Sequence, residues 1–141
     1  MKKKSFALLL VLCMMFSLLP FGAAAAGFQD VAADAYYHDP VDWALNHEPQ
    51  ITNGTSPTTF SPEDTCTRAH IVTFLFRAKQ AETVKDAENP FTDIPADTWF
   101  TDPVLWANAN NITNGDGSPT IFHPDGTCTR AQIVTFLFRA K

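Results

Sequence analysis

The stretch TCTRAHIVTFLFRAK, residues 65–79, returns at residues 127–141 as TCTRAQIVTFLFRAK. The two copies differ at one position of fifteen, where His70 stands opposite Gln132. An identity of this length indicates an internal repeat, and a repeat sets the architecture of the whole chain. It also supplies an internal control, because a residue present in both copies serves the shared fold or a shared site.

Two copies of one unit account for most of the 141 residues. We predict a first repeat over residues 28–79, a linker over residues 80–90 and a second repeat over residues 91–141. Each copy opens with Phe-x-Asp, continues through an Asp-Pro-Val segment, a Trp-Ala pair and an Asn-Gly turn, and closes with the repeated stretch. The linker is polar and ends in Asn-Pro, which is typical of a loop.

Residues 1–26 have the composition of a secretory signal peptide. Three lysines follow Met1, an apolar run covers residues 7–19, and four alanines at 23–26 offer a cleavage site. The apolar run is shorter than the roughly 20 residues that a membrane-spanning helix needs. We therefore expect an exported protein with no membrane span after cleavage.

The chain is strongly acidic once this leader is set aside. Three of its ten basic residues lie in the leader, so the remainder carries seven basic and 15 acidic residues, a net charge of −8. Nucleic-acid binding depends on basic patches that neutralise phosphates, so this balance argues against a nucleic-acid partner. An anionic partner would have to be held by a few local cations.

Asp-Pro pairs indicate where the first helix of each repeat begins. An aspartate before the helix caps its free N–H groups, and a proline at the first helical position has no N–H to satisfy. Asp39-Pro40 and Asp102-Pro103 have this pattern. They predict helices over residues 40–47 and 103–110.

The second helix of each repeat is predicted to start after Thr67 or Thr129. Residues 71–76 are β-branched and aromatic enough for a strand, but their flanks favour a helix. Thr129 and Gln132 have the spacing of a capping box, in which each side chain bonds the other residue's N–H group. Apolar positions recur at helical spacing over most of the circumference, which predicts an inner helix packed on several sides.

The order of these motifs resembles the S-layer homology (SLH) repeat of bacterial surface proteins. Phe-x-Asp, Trp-Ala, Ile-Thr-Asn-Gly, Phe-x-Pro and Thr-Arg-Ala follow one another in both copies. The resemblance implies an all-α fold of tandem helix–loop–helix repeats, arranged as lobes with pseudo-threefold symmetry around a central helical bundle. It also implies non-covalent anchoring at the cell wall, through polysaccharides that often carry pyruvate ketals and lie in grooves between lobes. A second interpretation is a structural module that assembles at the cell surface without binding sugar.

The chain departs from the family pattern in two ways. The glutamate of the family's Thr-Arg-Ala-Glu motif is replaced by His70 in one copy and by Gln132 in the other. Two repeats are present where the family usually has three, so two of the three lobes are expected. Since repeat units are stabilised by stacking on their neighbours, we expect self-association or a further SLH repeat to cover the open flank.

Arg68 and Arg130 are the leading candidates for polysaccharide binding. Each lies in the first turn of a predicted helix, where free N–H groups favour an anion. A guanidinium can also meet a carboxylate with two parallel hydrogen bonds. The alternative is a salt bridge to Asp30 or Asp93 that ties the start of a repeat to its second helix. The two roles are compatible, with the aspartate orienting the arginine.

Two further pairs complete the candidate polysaccharide-binding set. Trp43 and Trp106 can stack on a sugar ring, although a tryptophan beside alanine on a short helix is more often part of the core. Gly54 and Gly115 can line a groove where the backbone approaches a ligand, and the alternative is a simple turn.

The remaining candidates for chemistry are few. Cys66 and Cys128 occupy equivalent positions and are predicted to be buried free thiols, with a disulfide as the alternative. Two cysteines without paired histidines make no structural zinc site. No histidine is shared by both copies, and no nucleophile–base or HExxH motif is present. We therefore expect no catalytic residues, no metal and no cofactor.

Overall fold

The structure is a computed structural model that describes residues 27–141. These residues form four helices and no strand: α1 His38–Asn46, α2 Arg68–Ala78, α3 Thr101–Ala109 and α4 Arg130–Arg139. The predicted all-α class is confirmed, while the predicted signal peptide lies outside the described residues. None of these four helices has the length and apolar character needed to cross a membrane.

The first helix of each repeat begins one residue before its Asp-Pro pair. Tyr37 and Phe100 occupy the N-cap positions, and neither makes a side-chain capping bond. The prediction that Asp39 and Asp102 cap these helices is therefore wrong. Both aspartates lie inside the first turn, where a negative charge suits the positive end of the helix dipole. The prolines are tolerated because the first four N–H groups of a helix have no partner within it.

Both second helices carry the complete capping box. Thr129 and Gln132 exchange bonds of 2.9 and 3.2 Å, as predicted. Thr67 accepts from the His70 N–H at 3.3 Å, and the Nδ1 atom of His70 accepts from the Thr67 N–H at 3.3 Å. Histidine can take the place of the family's glutamate here, since an imidazole nitrogen without a proton is also an acceptor.

The hydrophobic core is unevenly divided between the repeats. α2 packs against both α3 and α4, so the second helix of repeat 1 enters the core of repeat 2. Val72 of α2 is fully buried in this larger cluster. The core of repeat 1 is a smaller cluster formed by Phe28, Val31 and Val41. Within the described residues, α1 packs on loops of its own repeat and contacts no other helix.

Backbone hydrogen bonds fasten the start of α2 to repeat 2. The N–H groups of Arg68 and Ala69 donate to the carbonyl oxygens of Gly126 and Pro124, at 2.9 and 3.0 Å. These donors belong to the first turn of a helix, where no partner exists within the helix itself. Repeat 2 supplies the missing acceptors, so directional hydrogen bonds as well as apolar packing hold the two repeats together.

Candidate functional site

A groove of about 550 Å³ opens where the two repeats meet. Its walls are formed by loop residues between 52 and 66, by α2, and by Trp99 of repeat 2. The volume falls within the range of roughly 300–1,000 Å³ that is typical of ligand sites. Trp99 is the one lining residue from repeat 2, so the groove is formed mainly by repeat 1 and repeat 2 closes part of its edge.

Aromatic rings form one wall of the groove. The His70 ring lies between Phe74, at a centroid distance of 6.2 Å, and Trp99, at 5.1 Å, with both rings within 27° of parallel to it. The Trp99 side chain is still 52% exposed. This wall offers a flat, partly apolar surface of the kind on which a sugar ring can stack.

Polar groups lie on the same face of α2 as His70 and Phe74. Arg77 donates one bond, from Nη1 to the carbonyl oxygen of Ile51 at 3.0 Å. A guanidinium has five N–H donors, and this is the one side-chain bond that Arg77 makes within residues 27–141. The Oγ1 atom of Thr73 is buried and has no partner among those residues. Arg77 and Asp64 are the fully charged residues of the lining.

The two glycines that both repeats share are required by the turns they occupy. Gly54 has a φ of +71° and Gly115 a φ of +98°. A Cβ atom at Gly54 would overlap the carbonyl oxygen of Thr59, and one at Gly115 would overlap that of Ser118. The turn interpretation therefore accounts for both positions. Gly54 also lines the groove, whereas Gly115 does not.

Arg68 is buried at the junction, with 2% of its surface exposed. Its Nε atom donates to the carbonyl oxygen of Phe122 at 2.8 Å, and Nη2 donates to that of Gly115 at 3.3 Å. The guanidinium lies over the rings of Phe122 and Phe136, at 4.8 and 5.3 Å. Asp116 is 3.9 Å from Nε. Arg68 therefore joins the two repeats, and its contact with a ligand stays a prediction.

Arg130 holds the equivalent position at the start of α4 but has a different environment. Its side chain is exposed. It makes no hydrogen bond or ion pair with the part of the chain that the structure describes. The two arginines are thus not brought together into one site.

Asp30 and Asp93 accept hydrogen bonds from backbone N–H groups. Neither forms a salt bridge with Arg68 or Arg130 within the described residues, so that alternative from the sequence is wrong. Asp30 accepts from the N–H groups of Phe60 and Ser61 at 2.8 and 2.7 Å. These bonds, chiefly the one from Phe60, hold the pKa of Asp30 below its ordinary value.

Asp93 makes the same pair of bonds in repeat 2. It accepts from the N–H groups of Phe122 and His123 at 2.9 and 2.7 Å. Partial burial raises the pKa of Asp93, but these N–H bonds outweigh the burial and leave the pKa below its ordinary value. The shared Phe-x-Asp motif therefore fixes the turn before each second helix.

The two tryptophans of the first helices have different surroundings. Trp106 packs against Phe76 with a centroid distance of 5.6 Å, at the edge of the larger core. Trp43 is 59% exposed and contacts His47. The core interpretation is confirmed for Trp106 and wrong for Trp43, because α1 has no helix beside it. Neither tryptophan lines the groove.

Of the candidates predicted from the sequence, Gly54 alone lines the groove, and the lining residues that were missed include His70, Thr73, Arg77 and Trp99. His70 was considered only as a helix cap. Trp99 approaches His70 through a contact between repeats, which no local sequence pattern reports. Arg77 recurs as Arg139, which donates to the carbonyl oxygen of Ile112 at 3.1 Å, so that bond is a shared structural feature.

Comparison with known proteins supports the repeat structure. Residues 27–71 and 90–134 each match the family model described as the S-layer homology domain. A cell surface protein of Thermoanaerobacter kivui is 32% identical over 98% of this chain and 18% of its own length. An endoglucanase of Bacillus sp. (strain KSM-635) is 29% identical over 98% of this chain and 15% of its own length. An S-layer protein of Bacillus thuringiensis subsp. finitimus is 26% identical over 86% of this chain and 14% of its own length. The chain thus spans less than a fifth of each relative.

Proposed function

Because the chain belongs to the S-layer homology domain family, we propose that it anchors an exported protein to the bacterial cell wall by holding wall polysaccharide in the groove between its repeats. Membership confirms the resemblance drawn from the sequence. The predicted location at the cell surface agrees with the names of two relatives. The endoglucanase shares 15% of its length with this chain, so we propose anchoring without catalysis.

The observation that carries the proposal is the composition of the groove. The lining combines an exposed tryptophan, a buried threonine hydroxyl with no partner among residues 27–141, and a partly used guanidinium. An unsatisfied buried hydroxyl costs roughly 1–3 kcal/mol, so a sugar hydroxyl that reaches Thr73 regains a bond. A carboxylate, such as that of a pyruvate ketal, would find charge-assisted donors on Arg77.

Replacing Trp99 by alanine tests the stacking wall. We expect the dissociation constant for purified wall polysaccharide to rise about tenfold, because an aromatic contact of this kind contributes on the order of 1 kcal/mol or more. Isothermal titration calorimetry with the intact chain measures this change. Tyr36→Ala is the matched control, since Tyr36 is the exposed counterpart of Trp99 in repeat 1 and lies outside the groove. Equal affinities for wild type and Trp99→Ala would refute the groove assignment.

A specific observation also favours the second interpretation, assembly through repeats. Val72 on α2 is fully buried, whereas its counterpart Val134 on α4 is 61% exposed. Leu137 and Phe138 of α4 are exposed as well, although Leu75 of α2 packs against the core. The helix that covers α2 has no equivalent over α4 within residues 27–141.

Repeat 1 exposes the surface that is equivalent to the one by which repeat 2 packs on α2. Trp43 corresponds to Trp106, which in repeat 2 packs on α2. The carbonyl oxygens of Gly54 and Phe60 correspond to those that accept from Arg68, and no bond to them is formed within the described residues. We propose, as the alternative to sugar binding in the groove, that a further SLH repeat joins these surfaces and places an arginine equivalent to Arg68 against Gly54 and Phe60, which line the groove. In the isolated chain a second copy supplies that repeat, with Arg130 as the arginine.

Sedimentation velocity tests this assembly. We expect concentration-dependent association of the wild-type chain and a monomer for Phe138→Asp, because a carboxylate would then be buried in the apolar interface. Phe138 is mostly exposed, so the monomer itself is expected to fold normally. Lys85→Asp, a charge change in the linker, should associate like the wild type. A wild-type chain that stays monomeric over the accessible concentration range would refute the proposal.

A further inference from the structure

Cys66 and Cys128 face each other across the junction between the repeats. Thr67 and Thr127 form an antiparallel bridge, which places the residues before Thr67 opposite those after Thr127. Cys66 and Cys128 are the first such pair, and the N–H of Cys128 donates to the carbonyl oxygen of Cys66 at 3.1 Å. Directly opposite residues of an antiparallel pair have side chains on the same face.

Both cysteines are free thiols in the structure, as predicted from the sequence, with Cys128 buried and Cys66 half-buried. Their register meets the Cα distance condition for a disulfide. The Cα atoms of opposite residues that share such a hydrogen bond are about 5.5 Å apart. Disulfides join residues whose Cα atoms are roughly 4.4–6.8 Å apart. Equivalent positions in two repeats need not be neighbours, so this proximity results from the way α2 enters repeat 2.

The two thiols differ in access. Cys66 is half-buried and lines the groove, so a reagent can reach it from solvent. Cys128 is buried behind it. Burial raises the pKa of both thiols; at Cys128 the charge of Arg68 opposes this shift and a thiolate at Cys66 adds to it. Both groups therefore stay mostly protonated at neutral pH and react faster as the pH rises.

We propose that Cys66 and Cys128 form a disulfide that joins the two repeats once the exported chain meets a disulfide oxidant. The Cys66 thiolate attacks one sulfur of the oxidant, whose other sulfur leaves as a thiolate, and a mixed disulfide forms on Cys66. The Cys128 thiolate then attacks the Cys66 sulfur and releases the second half of the oxidant. Two protein thiols lose two protons and two electrons, and the oxidant is reduced to two thiols.

The bridge would lock the start of α2 in its contact with repeat 2. It closes a loop over residues 66–128 and so restricts the unfolded chain. It also holds Arg68, which follows Cys66 by two residues, in place beneath the repeat 2 backbone. We therefore expect oxidation to raise the melting temperature by roughly 10 °C.

The test uses the full chain with Cys13→Ser, which leaves these two cysteines. The chain is incubated with glutathione disulfide at about pH 8, and free thiols are then blocked with a maleimide. Mass spectrometry is expected to show a monomer that has lost two hydrogen atoms, with a proteolytic fragment linking Cys66 to Cys128. Dithiothreitol should reverse both the link and the rise in melting temperature.

Single variants separate the bridge from other chemistry. In Cys128→Ser, we expect Cys66 to stop at the glutathione mixed disulfide without a rise in melting temperature. Glutathione on both cysteines with no link between them, or links formed between chains alone, would overturn the proposal. A linked chain with a lower melting temperature than the reduced chain would also overturn it, because the bridge would then distort the junction.

Discussion

Arg68→Ala is expected to lower the free energy of unfolding by about 3 kcal/mol, while Arg130→Ala should change it by less than about 0.5 kcal/mol. Arg68 is buried and donates to two carbonyl oxygens of repeat 2, which would be left without that donor. Its stacking over Phe122 and Phe136 would be lost as well. Arg130 makes no comparable contact within the described residues.

The two arginines form a matched pair. Both follow a threonine N-cap and occupy the first position of a helix with the same capping box. Urea denaturation followed by circular dichroism gives both free energies under one condition. If Arg68→Ala proves too unstable to measure, Arg68→Lys keeps the charge and loses the forked donors, and an intermediate loss is expected. Similar losses for Arg68→Ala and Arg130→Ala would contradict a joining role for Arg68.

This pair of variants also separates folding from binding. If both arginines contact polysaccharide directly, Arg130→Ala weakens binding although it leaves stability unchanged. If Arg68 acts by joining the repeats, Arg68→Ala weakens binding only in proportion to the unfolded fraction. Measuring binding well below the melting temperature of each variant distinguishes these outcomes.

Local features of the fold could be predicted from the sequence because they depend on neighbouring residues. The capping box of Thr129 and Gln132 involves residues three positions apart, and the helical spacing of the apolar residues is read directly. Both helices predicted from Asp-Pro pairs start two residues earlier than expected, at His38 and Thr101. Sequence gives the presence of such a helix more reliably than its first residue, because an aspartate is favourable both as a cap and inside the first turn.

The contacts between repeats could not be predicted, because they distinguish residues that have the same local sequence. Arg68 and Arg130 share their flanking residues, yet one is buried and the other exposed. The difference arises because repeat 2 follows repeat 1 and covers α2. The groove was missed for the same reason, since Trp99 reaches His70 from the other repeat.

Phe122→Ala is expected to destabilise the chain by about 4 kcal/mol, and Phe60→Ala by about half as much or less. Phe122 is fully buried, packs on Phe91 at 5.6 Å and lies beneath Arg68. Its counterpart Phe60 is half-buried and packs on Phe28 at 5.8 Å, beside the small core of repeat 1. Removing Phe122 opens a cavity among packed side chains, whereas solvent and flexible neighbours can fill the space left by Phe60.

The same comparison tests whether a further repeat completes repeat 1. Both free energies are measured by urea denaturation at low and at high chain concentration. If a second copy places its Arg130 against the Phe60 carbonyl oxygen, the loss caused by Phe60→Ala should grow with concentration, because the variant weakens a surface that association buries. The loss caused by Phe122→Ala should grow less, since Phe122 is already covered within one chain. If Phe60→Ala and Phe122→Ala lower the free energy of unfolding equally at low concentration, the asymmetry of the core is contradicted. If the loss caused by Phe60→Ala does not depend on concentration, association through this surface is contradicted.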